Sequence, residues 1–408
     1  MNERGQWEAY WLGRDLYAFV ERRDEVVDPV AGVLGTAWVL DVVRAGDVQP
    51  LLGGGAGARR EIPFLGVVQV CFTHSGPQPA LLAAATEGTW TKARVGAAEA
   101  FDATVFRDLD GVASLSTKVS VLDLDDATRD KLHSLISLDD VPDATDDELK
   151  LKIEAVSHVA VINVGQGNSN ALRARDGAAQ IYFDLGGGCL WNAHTMPASL
   201  AFCFTRSPPI VLSHWDFDHW FGATLPSAVA QARECRWIAP RQKIGPRTLA
   251  FASTLHALGT LRLWPAARRE VRLRYATIVP CSGVTKNDGG LAVFVKAALG
   301  TVLSTGDAAF EFVPRPTHAP HALIGLVVPH HGSPRSVAPP IFAAAPGARA
   351  AFSYGARNTY GHPGSSPSTL ATAGWNQQFA TPVGGIALGG PARGAPCRGQ
   401  CSIGTVQP

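Results

Sequence analysis

The sequence predicts an α/β protein: two β-sheets flanked by helices forming an αββα sandwich, with an additional N-terminal mixed α/β domain. Three observations predict it. At 408 residues the chain can hold two or three domains of ~100–200 residues each. From Val159 onward, short apolar runs recur with helical stretches between only some of them, as stacked sheets require. The charge also divides. Residues 1–150 hold 14 Lys+Arg against 25 Asp+Glu, a balance of −11, and residues 151–408 hold 22 against 10, or +12.

Taken in order, TAWVLDVV (36–43) and FLGVVQVCF (64–72) read as buried strands separated by the flexible GGGAGA (53–58). KVSVLDL (118–124) reads as a strand, and DDATRDKLHSLISL (125–138) as a helix whose acidic first turn suits its dipole. The acid-rich DDVPDATDDE (139–148) reads as a solvated linker that closes a first domain, 1–150, in which no chemical motif stands out. A second domain, 151–385, follows. VAVINVG (159–165), ALRAR (171–175) and IYFDLG (181–186) are predicted strands, the first two joined by the tight GQGNSN. PPIVLSH (208–214) is a strand entering a loop, and WFGATLPSAVAQA (220–232) begins a helix. RWIAP, LRLWP, EVRLRYATIVP (270–280), LAVFVKAA, GTVLSTG and ALIGLVVPH continue the strands, with helical patches at 246–258, 338–345 and 366–374. Residues 386–408 are Gly/Pro-rich and read as a tail.

Composition excludes several classes. Apolar residues make up 46% and charged residues 17%, which argues against disordered, collagen-like and coiled-coil chains. No apolar run approaches the ~18 residues of a membrane span. MNERGQWEAY lacks the apolar segment of a secretory leader, so a cytoplasmic protein is expected. Seven cysteines, an odd number in mostly apolar surroundings, read as reduced thiols, and Cys397 and Cys401 have no neighbouring His or Cys pair for zinc.

The chemistry concentrates in LSHWDFDHWFG (212–222). His214, Asp216, Asp218 and His219 follow an apolar run, and in a loop leaving a strand they can aim nitrogen and oxygen donors into one volume. Imidazole plus carboxylate suits Zn²⁺ or Mn²⁺. A helix cap would need one acid, not two acids with two histidines. One loop cannot close a two-metal centre, so further ligands are expected at other strand ends. Asp307, after VLST, can bridge two cations, and His330 and His331 end another apolar run. Trp215, Phe217, Trp220 and Phe221 read as packing of this loop on the core, ahead of base stacking.

This order of motifs resembles the metallo-β-lactamase superfamily and, more narrowly, the metallo-β-lactamase-like domain of bacterial DNA-uptake competence proteins. VGQGN (164–168), FDLGG (183–187), HWDFDH (214–219), TGD (305–307), PHHGS (329–333) and NTYGHP (358–363) carry the resemblance, over about 159–375. It implies His214 and Asp216 on a first divalent ion, Asp218, His219 and one of His330/His331 on a second, and Asp307 between them. His331 is favoured as the ligand, with His330 facing substrate. Asp184 is implied as a carboxylate beneath the loop that orients a histidine, with Gln166 and Asn168 in the adjoining turn. The family usually has Asp at the Asn168 position and commonly a Lys after PHHGS, where Arg335 is the nearest cation. The competence-type branch shares Asp216, where the wider superfamily has His. No further histidine presents itself before Asp307, since His256 falls in a predicted helix, so the centre is oxygen-rich and tilts towards Mn²⁺, with Zn²⁺ left open. Nothing here corresponds to the membrane channel of competence proteins, so DNA transport is not implied.

The expected activity is a metal-dependent phosphodiesterase or nuclease, using water activated between two divalent ions. Asp218 is the expected proton acceptor, with His330 beside the substrate. Ser333 and Arg335 would hold phosphoryl oxygens, Asn358 and Tyr360 would bind substrate, and His362 would protonate the leaving oxygen. The basic balance of 151–408 suits an anionic partner, nucleic acid or nucleotide and not a membrane, although the split would also serve docking of one half on the other. A protein partner of the first domain stays open. Two alternatives remain: hydrolysis of a lactone, thioester or β-lactam at the same centre, and a non-catalytic, metal-stabilised binding module.

Overall fold

Strand pairing organises this chain far more than helix formation does. The computed structural model describes residues 11–27, 34–52, 66–73, 86–96, 101–334, 336–337 and 342–390. Two units emerge: Met1–Asp140 with Lys243–Thr254, and Val141–Gln242 with Leu255–Pro408.

In the first unit, β1 (Asp15–Val27), β2 (Leu34–Arg44), β3 (Gly66–Thr73), β4 (Trp90–Val95), β5 (Phe101–Phe106) and β6 (Ala113–Leu122) close an antiparallel barrel in the order β1-β2-β3-β5-β6-β4. Alternate residues face inward: Leu16, Ala18 and Val20 on β1, Trp38, Leu40 and Val42 on β2, Val119 and Val121 on β6. The expected mixed α/β domain is therefore mainly β, with helices at Ala45–Leu52 and Asp126–Leu135. β1 escaped the sequence reading because a bulge between Val20 and Arg22 breaks the alternation where charged residues begin. The helix predicted at 125–138 is present, and the Asp125 side chain accepts the Thr128 N–H at its N-cap.

The acidic run is not a solvated linker. Val141 and Ala144 are buried, and Thr145 and Glu148 form a capping box on the helix Asp146–Leu149. Asp143 pairs with Arg241, Asp146 with Arg268 and Glu148 with Arg262, so three of its acids pair with arginines of the second unit.

The second unit is the two-sheet sandwich. One sheet contains β7 (His158–Val161), β8 (Asn170–Arg173), β9 (Ala179–Phe183), β10 (Ile210–Val211), β11 (Trp237–Ala239) and β12 (Leu261–Leu263). The other runs β13 (Val271–Arg272), β14 (Ala276–Pro280), β15 (Leu291–Ala297), β16 (Gly300–Ser304), β17 (Ala322–Val327), β18 (Ala343–Phe352) and β19 (Gln377–Ala380). Val161, Leu172, Phe183 and Val211 meet Val293, Val295, Val302 and Val327 in one core. The alternate residues Ala292, Phe294, Leu303 and Leu326 pack with Phe310, Phe342, Leu370 and Trp375 in another. Burial of both faces is why these strands read as unbroken apolar runs.

Four local expectations need correction. EVRLRYATIVP is a hairpin, β13 to β14, closed by Leu273 N–H donating to Ala276 O. Within the 338–345 helical patch, 338–341 lie outside the described residues and Ala343–Ala345 begin β18, where parallel pairing with β17 overrides alanine's helix propensity. The helix after the metal loop starts earlier, at Phe217, and breaks at Leu225–Pro226 before Val229–Glu234. Ile386–Leu388, read as tail, form β20 (Ile386–Leu388) against β7, and 391–408, with Cys397 and Cys401, lie outside the described residues, as does GGGAGA. Among the described residues, no helix is long and apolar enough to cross a membrane.

Candidate metal centre

Strands β9, β10, β16, β17 and β18 all release their chains at C-terminal ends, and the sequence motifs sit in those loops: Asp184 after β9, His214 to His219 after β10, Asp307 after β16, His330 and His331 after β17. Gly306 lets the Asp307 loop press on the metal loop: its φ is +60°, and a Cβ there would lie 2.5 Å from the Ser213 side chain.

Hydrogen bonding fixes the tautomer of three histidines. A carboxylate or carbonyl oxygen only accepts. His219 Nδ1 therefore donates to Asp184 Oδ2 at 2.9 Å, and His331 Nδ1 donates to Ser353 O at 2.6 Å. Ser213 gives its hydroxyl proton to Asp184 Oδ2 at 2.8 Å, so its oxygen accepts from His214 Nδ1 at 3.0 Å. All three Nε2 lone pairs then point inward, where they meet carboxylates. His214 Nε2 lies 3.4 Å from Asp216 Oδ2 and 3.8 Å from Asp307 Oδ2. His219 Nε2 lies 3.1 Å from Asp307 Oδ1, and His331 Nε2 lies 3.1 Å from Asp218 Oδ2 and 3.8 Å from Asp307 Oδ1.

With neutral rings, acceptors thus face acceptors, a conflict that a proton or a metal cation resolves. Among the described residues, the Nε2 atoms of His214, His219 and His331 and both Asp307 oxygens are buried without a hydrogen-bond partner. Such a lining is costly unless cations occupy it. Two sets of donor atoms, His214/His219/Asp307 and Asp218/His219/His331, each lie within 4.8 Å of one another, a spacing that a divalent ion spans. The residues fit a divalent-metal centre.

The electrostatics show the same pull towards positive charge, which a proton on the ring meets when no metal ion does. Burial disfavours a charged ring at His219, but Asp307 and Asp184 outweigh it and hold its pKa well above the usual histidine range. Burial likewise opposes charge at His331, which Asp307 and Asp218 overcome, raising its pKa. Asp307, despite burial, is held well below the carboxylate range by His219, His330 and His331.

The remaining expected residues divide. Asp216 stands at the N-cap of Phe217–Trp220 but makes no side-chain cap, which removes the capping alternative. Trp215, Phe217, Trp220 and Phe221 are buried and pack the loop onto the core. His330 is more exposed than His331 and reaches Asp307 Oδ2 at 3.6 Å. Both carry left-handed backbone, φ 46° and 56°, the kind of strain found at functional sites. Asn168 donates to Asp184 Oδ2 at 3.0 Å. Gln166 Oε1 accepts from Gly355 N–H, so its amide nitrogen donates to His362 Nδ1 at 3.1 Å, and the His362 ring lies 5.7 Å from that of His330. Asn358, expected on substrate, is instead bound within its own loop, donating to Gly355 O and His362 O and accepting from Tyr360 and His362 N–H. Tyr360 stands beside His362, with 5.6 Å between ring centres. Ser333 closes the His330 turn through its N–H, and Arg335 lies outside the described residues. His256 is in the helix Pro246–Ala257.

Sequence reasoning missed Ser213, Ser353, Asn170 and Lys286. Asn170 donates to Asn168 Oδ1 and Ser304 Oγ, and Lys286 Nζ lies 2.6 Å from Asp216 Oδ1. A lone lysine in the Gly-rich GVTKNDGG, leading into a buried strand, was the available signal.

No family model matches the chain, and no curated protein matches it. Among solved structures it is similar to a metal-dependent hydrolase of the β-lactamase superfamily, at 9% identity and a TM-score of 0.31, over 56% of this chain and 98% of that one. It is also similar to a metallo-β-lactamase of Cronobacter sakazakii (Enterobacter sakazakii) with an HARLDQ motif, at 17% identity and a TM-score of 0.24, over 40% of this chain and 68% of that one. A mutant of that enzyme matches at 17% identity and a TM-score of 0.24, over 40% and 67%. These structural neighbours are hydrolases of the metallo-β-lactamase superfamily, at low similarity throughout.

Proposed function

We propose that the chain is a divalent-metal-dependent hydrolase that cleaves phosphodiester bonds in nucleic acid or nucleotides. One observation carries the metal reading: the Nε2 atoms of three histidines and the Asp307 carboxylate converge, buried, around one small volume. His214, Asp216 and Asp307 would hold one ion, and Asp218, His219, His331 and Asp307 a second, Mn²⁺ or Zn²⁺. Bound there, divalent ions supply Lewis acidity, acidifying water and neutralising charge that develops on the substrate.

The chain's own groups supply the rest. Asp184 holds His219 directly, and through Ser213 it also sets His214. Because Gln166 donates to His362 Nδ1, the neutral His362 carries its proton on Nε2 and can deliver it to a leaving oxygen. The Asp218 carboxylate takes up the proton of the attacking water. His330 and Ser333 face the substrate, with Arg335 on the same segment. The +12 balance of residues 151–408 and the motif order resembling competence proteins support an anionic, nucleic-acid-like substrate.

The test is a panel of linear DNA, RNA, cyclic dinucleotides and nitrocefin given to full-length protein with Mn²⁺, with Zn²⁺ or with EDTA. Cleavage of a phosphodiester that EDTA abolishes and added metal restores is the expected result. Turnover of nitrocefin alone would move the activity to the β-lactam class, and metal-independent turnover would remove the centre from the chemistry.

A further inference from the structure

The Asp216 side of the centre already contains a cation. Lys286 lies between β14 and β15, and its Nζ is 2.6 Å from Asp216 Oδ1, with the two side chains 5% and 3% exposed. The position is built. Gly283 N–H donates to Asp288 O and Gly289 N–H to Thr285 O, which closes the loop on itself. Gln242 Nε2 donates to Lys286 O at 2.7 Å, while Gln242 Oε1 accepts from Trp215 N–H at 3.1 Å. One glutamine thus ties the lysine's backbone to the residue next to Asp216.

The consequence is an asymmetry. Asp216 divides its two oxygens between the ammonium and the His214 Nε2 side, whereas the Asp218 carboxylate faces His331 Nε2 at 3.1 Å. In a buried setting two positive charges sharing one carboxylate repel strongly, because little water screens them.

We propose that Lys286 makes the two halves of the centre unequal, so that one divalent ion binds tightly at Asp218/His219/His331/Asp307 and a second binds weakly at His214/Asp216/Asp307, in competition with the lysine. This rests on the metal reading above. Lys286 acts here as a positioning and charge-balancing residue, and it sets how many ions the resting protein holds.

Full-length protein, stripped with chelator and titrated with Mn²⁺ while free ion is counted by electron paramagnetic resonance, tests it directly. The wild type should take one ion, with a second at least about tenfold weaker. Lys286→Met should tighten the second ion by about tenfold or more and leave the first near its wild-type affinity, while Lys286→Arg should keep the inequality. Two ions of equal affinity in the wild type would overturn the proposal without any variant, even if Lys286→Met fails to fold. So would a second ion that stays weak in folded Lys286→Met. A wild type that binds no Mn²⁺ defeats the metal reading as well.

Discussion

The barrel unit and the sandwich unit both bury carboxylates, and they treat them differently. In the barrel unit, Asp41 Oδ2 accepts the Arg247 N–H at 2.6 Å and Glu21 Oε1 accepts the Gly245 N–H at 3.2 Å. A backbone proton answers one oxygen of each acid and anchors a chain segment. In the sandwich unit, Asp307 Oδ1 faces His219 Nε2 at 3.1 Å and Oδ2 faces His214 Nε2 at 3.8 Å, rings whose Nδ1 protons go to Asp184 and Ser213. Burial alone therefore does not identify a reactive acid. A buried acid set among imidazole nitrogens marks the candidate metal centre instead.

The same Asp→Asn change made in both places should separate the two classes. Asp307→Asn keeps the volume and lets the new amide donate to the histidines, so the fold should persist. It removes the charge that both halves of the centre share. Metal affinity, and kcat/KM in the phosphodiester assay of the proposed reaction, should fall by more than the ~100-fold typical of losing a residue that only orients a ligand. Retained metal, read by elemental analysis, together with retained activity would erase the distinction drawn above.

Histidines repeat the lesson with the sign reversed. His158 on β7 is as buried as His219, but it faces Arg173 across the ladder in place of carboxylates. Burial, aided by Arg173, pushes its pKa down to about 4. The fold keeps this ring neutral, whereas the unfolded chain protonates it near the ordinary value of about 6.5. Its contribution is therefore complete above about pH 6.5 and is lost as pH falls towards 4. Between pH 7.5 and 5 this residue should cost the wild type about 2 kcal/mol of stability. Denaturation series at several pH values should show a shallower acid slope in His158→Gln, whatever its stability at pH 7.5. Equal slopes would mean that burial does not keep His158 neutral.

The sequence displays most of the centre because the metal loop packs four donors into one contiguous stretch after an apolar run. Asp307, His330 and His331 were visible for the same reason, each following a strand buried on both faces. Lys286 was not, because its partnership with Asp216 exists only once distant loops meet. Asn358 shows the converse: its residue type suits a ligand, but only the folded loop reveals that its amide is occupied. The β13–β14 hairpin went unseen because Leu273-Arg274-Tyr275 offers no Gly or Pro at the turn, and β1 because a bulge shifts its pattern.

The mildest perturbation sharpens the opening contrast most. Asp41→Asn in the barrel unit leaves a carbonyl oxygen able to accept the Arg247 N–H, so one hydrogen bond survives with its charge assistance removed. Charged hydrogen bonds contribute roughly 1 kcal/mol more than neutral ones, and the expected loss of stability is about that size. The site is closely packed, since a Cβ on Gly245 would lie 2.5 Å from Asp41 Oδ2, and Asn is close to Asp in volume. Metal content and turnover per folded molecule should equal those of the wild type. If Asp41→Asn instead lowered metal content, an acid anchored by a backbone proton would be shaping the centre, and a backbone donor could no longer distinguish the barrel unit's carboxylates from Asp307.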